Sequence, residues 1–378
     1  MSVNPDSIYL DVNADAAVHP LAWSAYVDAS RRFANPSSAH RGGRMARECL
    51  EEAREGLALA LGAQPGELVF TSGGTEADAL ALHGALSAFK GPGKPHVLCS
   101  ALEHAAVLQS ARRLEKRGEI CLDVIPVGRS GVVSVPAIVE RLRPSTALVS
   151  VVLACNETGV VQPLGEIRAA LVGHGALLHS DAVQALGRIP VNLRALGVDM
   201  LSVSAHKVGG LAGTGALVVG EGTRLRPILI GGGQEQGLRA STPNIAGAAA
   251  FAAAVSEITP WSQGIRDDFE QELEEALGSL EILGREHARL PNTSCVRFEG
   301  CEGDGIMMAL DIQGIGVSTG SACSTGSIEP SRILLAMGLS EAEARSCVRF
   351  SFPKELSGLQ RARVVSALRD IVGQIRTP

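Results

Sequence analysis

Short, nearly continuous apolar runs alternate with stretches of helical periodicity through the first two thirds of the chain. Ile8 to Asp11, Leu68 to Thr71, His96 to Ser100, Ala147 to Ala154, Gly175 to His179, Val198 to Ser204 and Gly215 to Val219 read as strands. Helices are expected from about Arg44 to Leu61, through Leu82, to about Arg117, and in the alanine-rich segment from about Ile245. Apolar strands separated by helices predict an α/β fold, with a mostly parallel sheet covered on both faces. Past Pro260 the pattern changes to an acidic helix (about Asp267 to Leu277) and short strands such as Thr293 to Phe298. A boundary is therefore expected near 258–262. In Ser346 to Phe352 the strand period of two sets Val348, Phe350 and Phe352 on one face and Cys347, Arg349 and Ser351 on the other.

Polar residues collect where the apolar runs stop: Thr75, His104, Asn156 and Asp181, then Ser204, His206 and Lys207. One such residue usually caps a turn. Five consecutive strand ends carrying them predict a single pocket, since α/β folds hold ligands beyond the carboxyl ends of their strands. Thr71-Ser-Gly-Gly-Thr-Glu76 leads from strand to helix and aims backbone N–H groups at an anion, although an ordinary helix cap reads the same way.

Lys207 is one of only five lysines, and the only one that follows a buried run and precedes glycines. A shielded lysine loses its proton near neutral pH and can condense with a carbonyl. A phosphate-binding or purely structural lysine is the alternative. Cys323 sits among Gly, Ser, Ala and Thr with little to pack it, which suits a nucleophilic thiolate better than a core thiol. Arg349 is either solvated on a polar strand face or, opposite a pocket, a clamp for a carboxylate.

Composition narrows the field. A net charge of −6 argues against binding nucleic acid directly. No apolar run approaches the roughly 18 residues of a membrane span, and the first residues lack the pattern of a signal peptide. Eight cysteines in 378 residues, with no Cys-x-x-Cys, form neither a disulfide framework nor a metal-ligand spacing, so no metal is expected. A reducing cytoplasm fits.

An aspartate, a histidine and a lysine around an anion site suit pyridoxal 5'-phosphate. Asp181 would keep the ring nitrogen protonated, an interaction worth roughly 1.4–4 kcal/mol. His104 would stack on the ring or relay protons, typically worth about 10²–10⁴ in rate. A helix N-terminus contributes only about 0.3–2 kcal/mol to anion binding, so Ser204, His206 and a further donor would share the phosphate.

The motifs Thr71-Ser-Gly-Gly-Thr-Glu76, Glu103-His104, Asn156-Glu157-x-Gly159, Asp181-Ala-x-Gln184, Ser204-Ala-His-Lys207, Arg239-Ala-x-Thr242, Gly320-Ser-Ala-Cys323 and Val348-Arg-Phe-Ser351 run in this order through nearly the whole chain. In this the chain resembles the cysteine desulfurases, in the class V aminotransferase group of pyridoxal phosphate enzymes. Ser318-Thr-Gly-Ser-Ala-Cys323 resembles the branch whose long loop delivers sulfur to partner proteins.

The resemblance implies a fold type I aminotransferase scaffold. Residues 16–258 would form a large cofactor-binding domain, and 1–15 with 259–378 a smaller α/β domain carrying the cysteine loop. It implies that Lys207 holds the cofactor, His104 stacks on it, Asp181 pairs the ring nitrogen and Gln184 bonds the ring hydroxyl. Gly74, Thr75, Ser204 and His206 would hold the phosphate, with Thr242 from the other subunit of a homodimer. Asn156 and Arg349 would bind the carboxylate of L-cysteine. Cys323 would take its sulfur as a persulfide, leaving alanine, and pass it to a scaffold or thiolation enzyme. A selenocysteine lyase, a carbon–sulfur lyase, an aminotransferase or a non-catalytic partner subunit are the alternatives on this scaffold. The chain departs from the family pattern at Ala14-Asp-Ala-Ala17, Gly210-Leu-Ala-Gly213 and Ser241.

Overall fold

The computed structural model describes residues 7–32, 34–261, 264–320 and 329–376. Its strands are β1 (Ile8–Tyr9), β2 (Leu68–Thr71), β3 (His96–Ser100), β4 (Cys121–Ile125), β5 (Thr146–Ser150), β6 (Leu177–Asp181), β7 (Met200–Ser204), β8 (Gly215–Val219), β9 (Glu281–Ile282), β10 (Thr293–Arg297), β11 (Ile315–Gly316) and β12 (Cys347–Ser351). Seven of them form one sheet in the order β2-β8-β7-β6-β5-β3-β4. β8 runs antiparallel to both neighbours, and the other pairings are parallel.

Alternation along the strands explains why this sheet needs helices on both sides. Leu98 on β3 and Ala216 and Val218 on β8 enter a core shared with the helices Arg41–Ala60 and Ile245–Ser256. Their neighbours Val97, Cys99 and Leu217 enter a second core beneath the helices Gly74–Ala88 and Ala105–Lys116. A fully buried leucine such as Leu98 contributes roughly 1.5–3 kcal/mol to such a core.

The remaining strands build a separate layer. β9, β10 and β12 form an antiparallel sheet, and β1 pairs with β11 in parallel. Phe269 packs its ring 5.0 Å from Phe350 and 5.1 Å from Phe352, in a core with Val348, Ile8 and Leu10. The opposite face of β12 is buried too: Cys347 joins the core of the large sheet, and Arg349 is 4% exposed. The solvated alternative for Arg349 is thereby excluded.

Element edges shift where side chains intervene. The run predicted as one strand from Ala147 to Ala154 gives the strand Thr146–Ser150; beyond it Val151 and Leu153 still donate to His179 O (3.1 Å) and Asp181 O (2.9 Å) of β6, while Val152 N on the other side turns to Glu103 Oε1 (2.6 Å). The helix expected from Arg44 starts at Arg41, where His40 accepts a hydrogen bond from Gly43 N. β6 extends to Asp181, which places that carboxylate at the last position of the strand.

Candidate functional site

β2, β3, β5, β6 and β7 end on the same edge of the large sheet, and the residues following them line a cleft of about 310 Å³. Lys207, His104, Asp181, Gln184, Gly74, Thr75, Ser204, His206, Asn156 and Arg349 all line it. Thr242 does not; it is exposed, in the loop before the helix Ile245–Ser256. Cys323 lies outside the described residues.

Packing positions the turn after β2. A Cβ on Gly215 would come within 2.6–2.7 Å of the Gly73 backbone, and one on Gly74 within 2.8 Å of Val183 Cγ2. Glycine at both places lets the first turn of the helix Gly74–Ala88 sit against β8 and the end of β6. Glu76 fastens the turn, accepting from Ser72 N (2.7 Å) and pairing with Arg239 (2.8 Å).

Lys207 emerges from a short 3₁₀ turn after β7. Its Nζ donates to the carbonyl oxygens of Asn13 (2.7 Å) and Ala14. The N-terminal segment reaches it by a chain of pairings: Val12 N donates to Ser351 O (3.3 Å), Asn13 N to Ser351 Oγ (3.0 Å), and Ala16 N to His206 O (3.1 Å). Asn13 is the residue that sequence reasoning missed. It is 1% exposed and donates through Nδ2 to Asn156 O (3.2 Å) and Thr293 Oγ1 (3.0 Å), while Gln184 Nε2 donates to its carbonyl (2.9 Å). No periodicity marks a single asparagine after a two-residue strand.

His104 caps the helix Ala105–Lys116, with Nδ1 accepting from Ala106 N (3.2 Å). His206 Nδ1 lies 3.0 Å from Asp15 Oδ1; burial and the adjacent Lys207 charge nevertheless lower the imidazole pKa below its ordinary value. Asp181 Oδ1 accepts from Val183 N (2.8 Å), and burial raises this carboxyl, against the pull of His104 and Lys207.

Behind Asp181 lies a second layer of titratable groups to which the sequence reading gave no chemical role. Asp78 is 1% exposed, with Oδ1 3.6 Å from His179 Nε2, and burial together with the Asp181 charge drives it well above the carboxylate range. Burial pushes His179 down to about 3 and Glu103 up to about 8. Glu157, bonded by Ser331 Oγ, is pushed up by burial to about 7.

The cleft fits pyridoxal phosphate. Gln184 Oε1 is buried and has no hydrogen-bond partner among the described residues, as a ring hydroxyl requires. A backbone helix start, two hydroxyls and an imidazole (Gly74, Thr75, Ser204 and His206) converge for a phosphate. One amine, Lys207, and the strand-end acid Asp181 line the space between, with Asp78 beside them.

Known proteins resemble this chain over nearly its whole length. The family model described as aminotransferase class-V matches residues 8–355. The cysteine desulfurase IscS of Dictyoglomus turgidum is 38% identical over 382 residues, covering 98% of this chain and 95% of that protein. A solved NifS-like protein superposes with a TM-score of 0.88 at 30% identity, covering 97% of this chain and all of the other. The structure titled SspA in complex with cysteine superposes at 0.83 with 34% identity, covering 93% of this chain and 100% of the other.

Proposed function

The chain belongs to the class-V aminotransferases and, within them, is a pyridoxal phosphate-dependent cysteine desulfurase; we propose that Lys207, Asp181 and His104 run its cofactor chemistry and that Cys323 receives the sulfur. The observation carrying this reading is the convergence of Lys207, Asp181 and the unpartnered Gln184 Oε1 in one cleft beneath a helix N-terminus. When bound, pyridoxal phosphate supplies a cationic ring that withdraws electrons from the Cα and Cβ–S bonds of L-cysteine.

The chain's own groups divide the remaining work. Gly74, Thr75, Ser204 and His206 hold the phosphate, joined by Thr242 of a second subunit. Gln184 bonds the ring hydroxyl and Asp181 the ring nitrogen, whose positive charge draws the raised carboxyl back to its ionised form. The carbonyls of Asn13 and Ala14 keep the Lys207 amine in the cleft, within reach of the protons that move at the substrate. His104 covers the ring and returns a proton. Arg349 and Asn156 bind the substrate carboxylate, which takes the place of Asp11 at the guanidinium. Cys323 attacks the substrate sulfur as a thiolate, keeps it as a persulfide and leaves alanine.

The persulfide passes to a sulfur-accepting protein, an iron–sulfur scaffold or a thiolation enzyme. The seven described cysteines are free thiols, which supports a reducing cytoplasmic setting. Among the described residues no helix is long and apolar enough to cross a membrane.

Mass spectrometry after L-cysteine treatment tests the assignment. Added sulfur should sit on Cys323, and Cys323→Ser should lose it while retaining the cofactor absorption. Sulfur transfer by the Cys323→Ser protein would refute the nucleophile.

A further inference from the structure

A second cavity, of about 440 Å³, lies across the N-terminal segment from the cleft. Asn13 and Ala14 line the cleft, whereas Val12, Ala16 and Ala17 line this cavity, and Lys207 is the one residue common to both linings. Its walls are largely apolar, among them Leu186, Ala254, Ile258, Trp261 and Leu356. The Trp261 indole N–H donates to Gly187 O, which fixes the ring in the wall.

One polar side chain in this lining is anomalous. Arg188 is 5% exposed, yet no carboxylate among the described residues forms an ion pair with it. Nη1 donates to Gln184 O (2.6 Å), Nη2 reaches Val12 O at 3.5 Å, and Nε has no partner. Burial, with Arg349 adding repulsion, lowers this guanidinium to about 10, so it remains charged at neutral pH. A buried charge held only by carbonyl dipoles is costly, and an incoming anion relieves that cost. The charged groups at the mouth, Lys354, Glu257 and Glu355, are exposed and leave Arg188 uncompensated.

We infer that this cavity is a second ligand site, for a small carboxylate with an apolar body, its charged end on Arg188 and its tail against Trp261 and Ile258. One guanidinium matches one carboxylate; a phosphate would bring a second charge into apolar walls. The volume admits a chain of about eight carbons or an aromatic acid, and excludes a macromolecule. The site shares Lys207 alone with the residues assigned to desulfuration, and Arg188, which would take the carboxylate, is not among them.

Octanoate is the probe, titrated into the holoenzyme while Trp261 fluorescence is read in a Trp23→Phe background, which leaves Trp261 as the sole tryptophan. Octanoate should give a saturable change and bind roughly tenfold or more tightly than octan-1-ol. Arg188→Met should erase that preference and leave octanol binding unchanged. The comparison of the two probes on the Arg188-bearing protein decides the matter even if Arg188→Met does not fold. Steady-state inhibition by octanoate, where seen, should be non-competitive with L-cysteine. Equal affinity for the two probes, no saturable change up to millimolar octanoate, or competition with L-cysteine would each overturn the site.

Discussion

Arg349 Nη2 lies 2.6 Å from Asp11 Oδ1, so the guanidinium proposed to clamp the substrate carboxylate is already occupied by a carboxylate of the N-terminal segment. Arg349 Nη1 donates to Asn156 O (3.0 Å), while Nε has no partner. Asp11 is the more exposed of the two, at 18% against 4%, and is the group able to withdraw. Substrate binding is therefore an exchange of one acid for another at a fixed cation.

Asp11→Asn removes the competitor. KM for L-cysteine should fall several-fold, and the melting temperature should fall as well, because a buried cation loses its counter-charge. A rise in KM, measured by alanine release, would mean instead that Asp11 orients Arg349 for the substrate.

Lys207→Ala should take up pyridoxal phosphate without covalent attachment. After borohydride reduction and digestion, the peptide containing residue 207 should carry no added cofactor mass, and alanine production should fall by at least about 10³-fold.

The two neighbouring buried carboxyls, Asp181 at the end of β6 and Asp78 on the helix Gly74–Ala88, should behave differently. Asp78, driven far above the carboxylate range by burial, is a neutral acid that an amide can replace. Asp78→Asn should change stability by no more than about 1 kcal/mol and leave the cofactor absorption unmoved. Asp181→Asn should weaken cofactor retention and shift that absorption. Equal effects would place the ring charge on both groups.

Stability should fall with rising pH in a window set by Glu103. Burial lifts this carboxyl from 4.5 to about 8, so between those values the folded chain holds a proton that the unfolded chain has released. The stabilisation is complete below about pH 4.5 and is lost as pH rises to about 8, with a slope of up to about 1.4 kcal/mol per pH unit. Glu103→Gln should flatten that slope in denaturant titrations from pH 5 to 8. Glu157, raised to about 7, leaves part of it in place. His179 acts oppositely: lowered from 6.5 to about 3, it withdraws stability as pH falls through that range.

Glu235 ties the loop before Thr242 to β2. It accepts from both Nη atoms of Arg54 at 2.8 Å and from Phe70 N at 2.8 Å, and Arg54 lies over the Phe70 ring. Glu235→Ala leaves the buried Arg54 with only the half-exposed Glu51 (Nε to Oε2, 3.1 Å) as counter-charge, a loss of up to about 3–5 kcal/mol in chemical denaturation. Loss of cofactor retention should accompany it, since β2 leads into the Gly74-Thr75 turn.

The sequence by itself determined the alternating strands and helices, because apolar runs that must be covered on two faces leave few other arrangements. It also marked Lys207, His104, Asp181 and Gln184, since polar residues directly after such runs have one edge of the sheet to share. Only the tertiary structure decided what stands around them. Asn13 and Asp11 enter the site through a strand of two residues, too short for any periodicity, held by β11 and Ser351 from the far end of the chain. The carboxyls of Asp78 and Glu103 owe their raised pKa values to burial that no local pattern encodes. Arg349 read as solvated first and as a clamp second until the packing of β12 between two cores removed the solvent. Arg188 carries no signal in the sequence, and its isolation in an apolar wall depends on segments 176 residues apart meeting there.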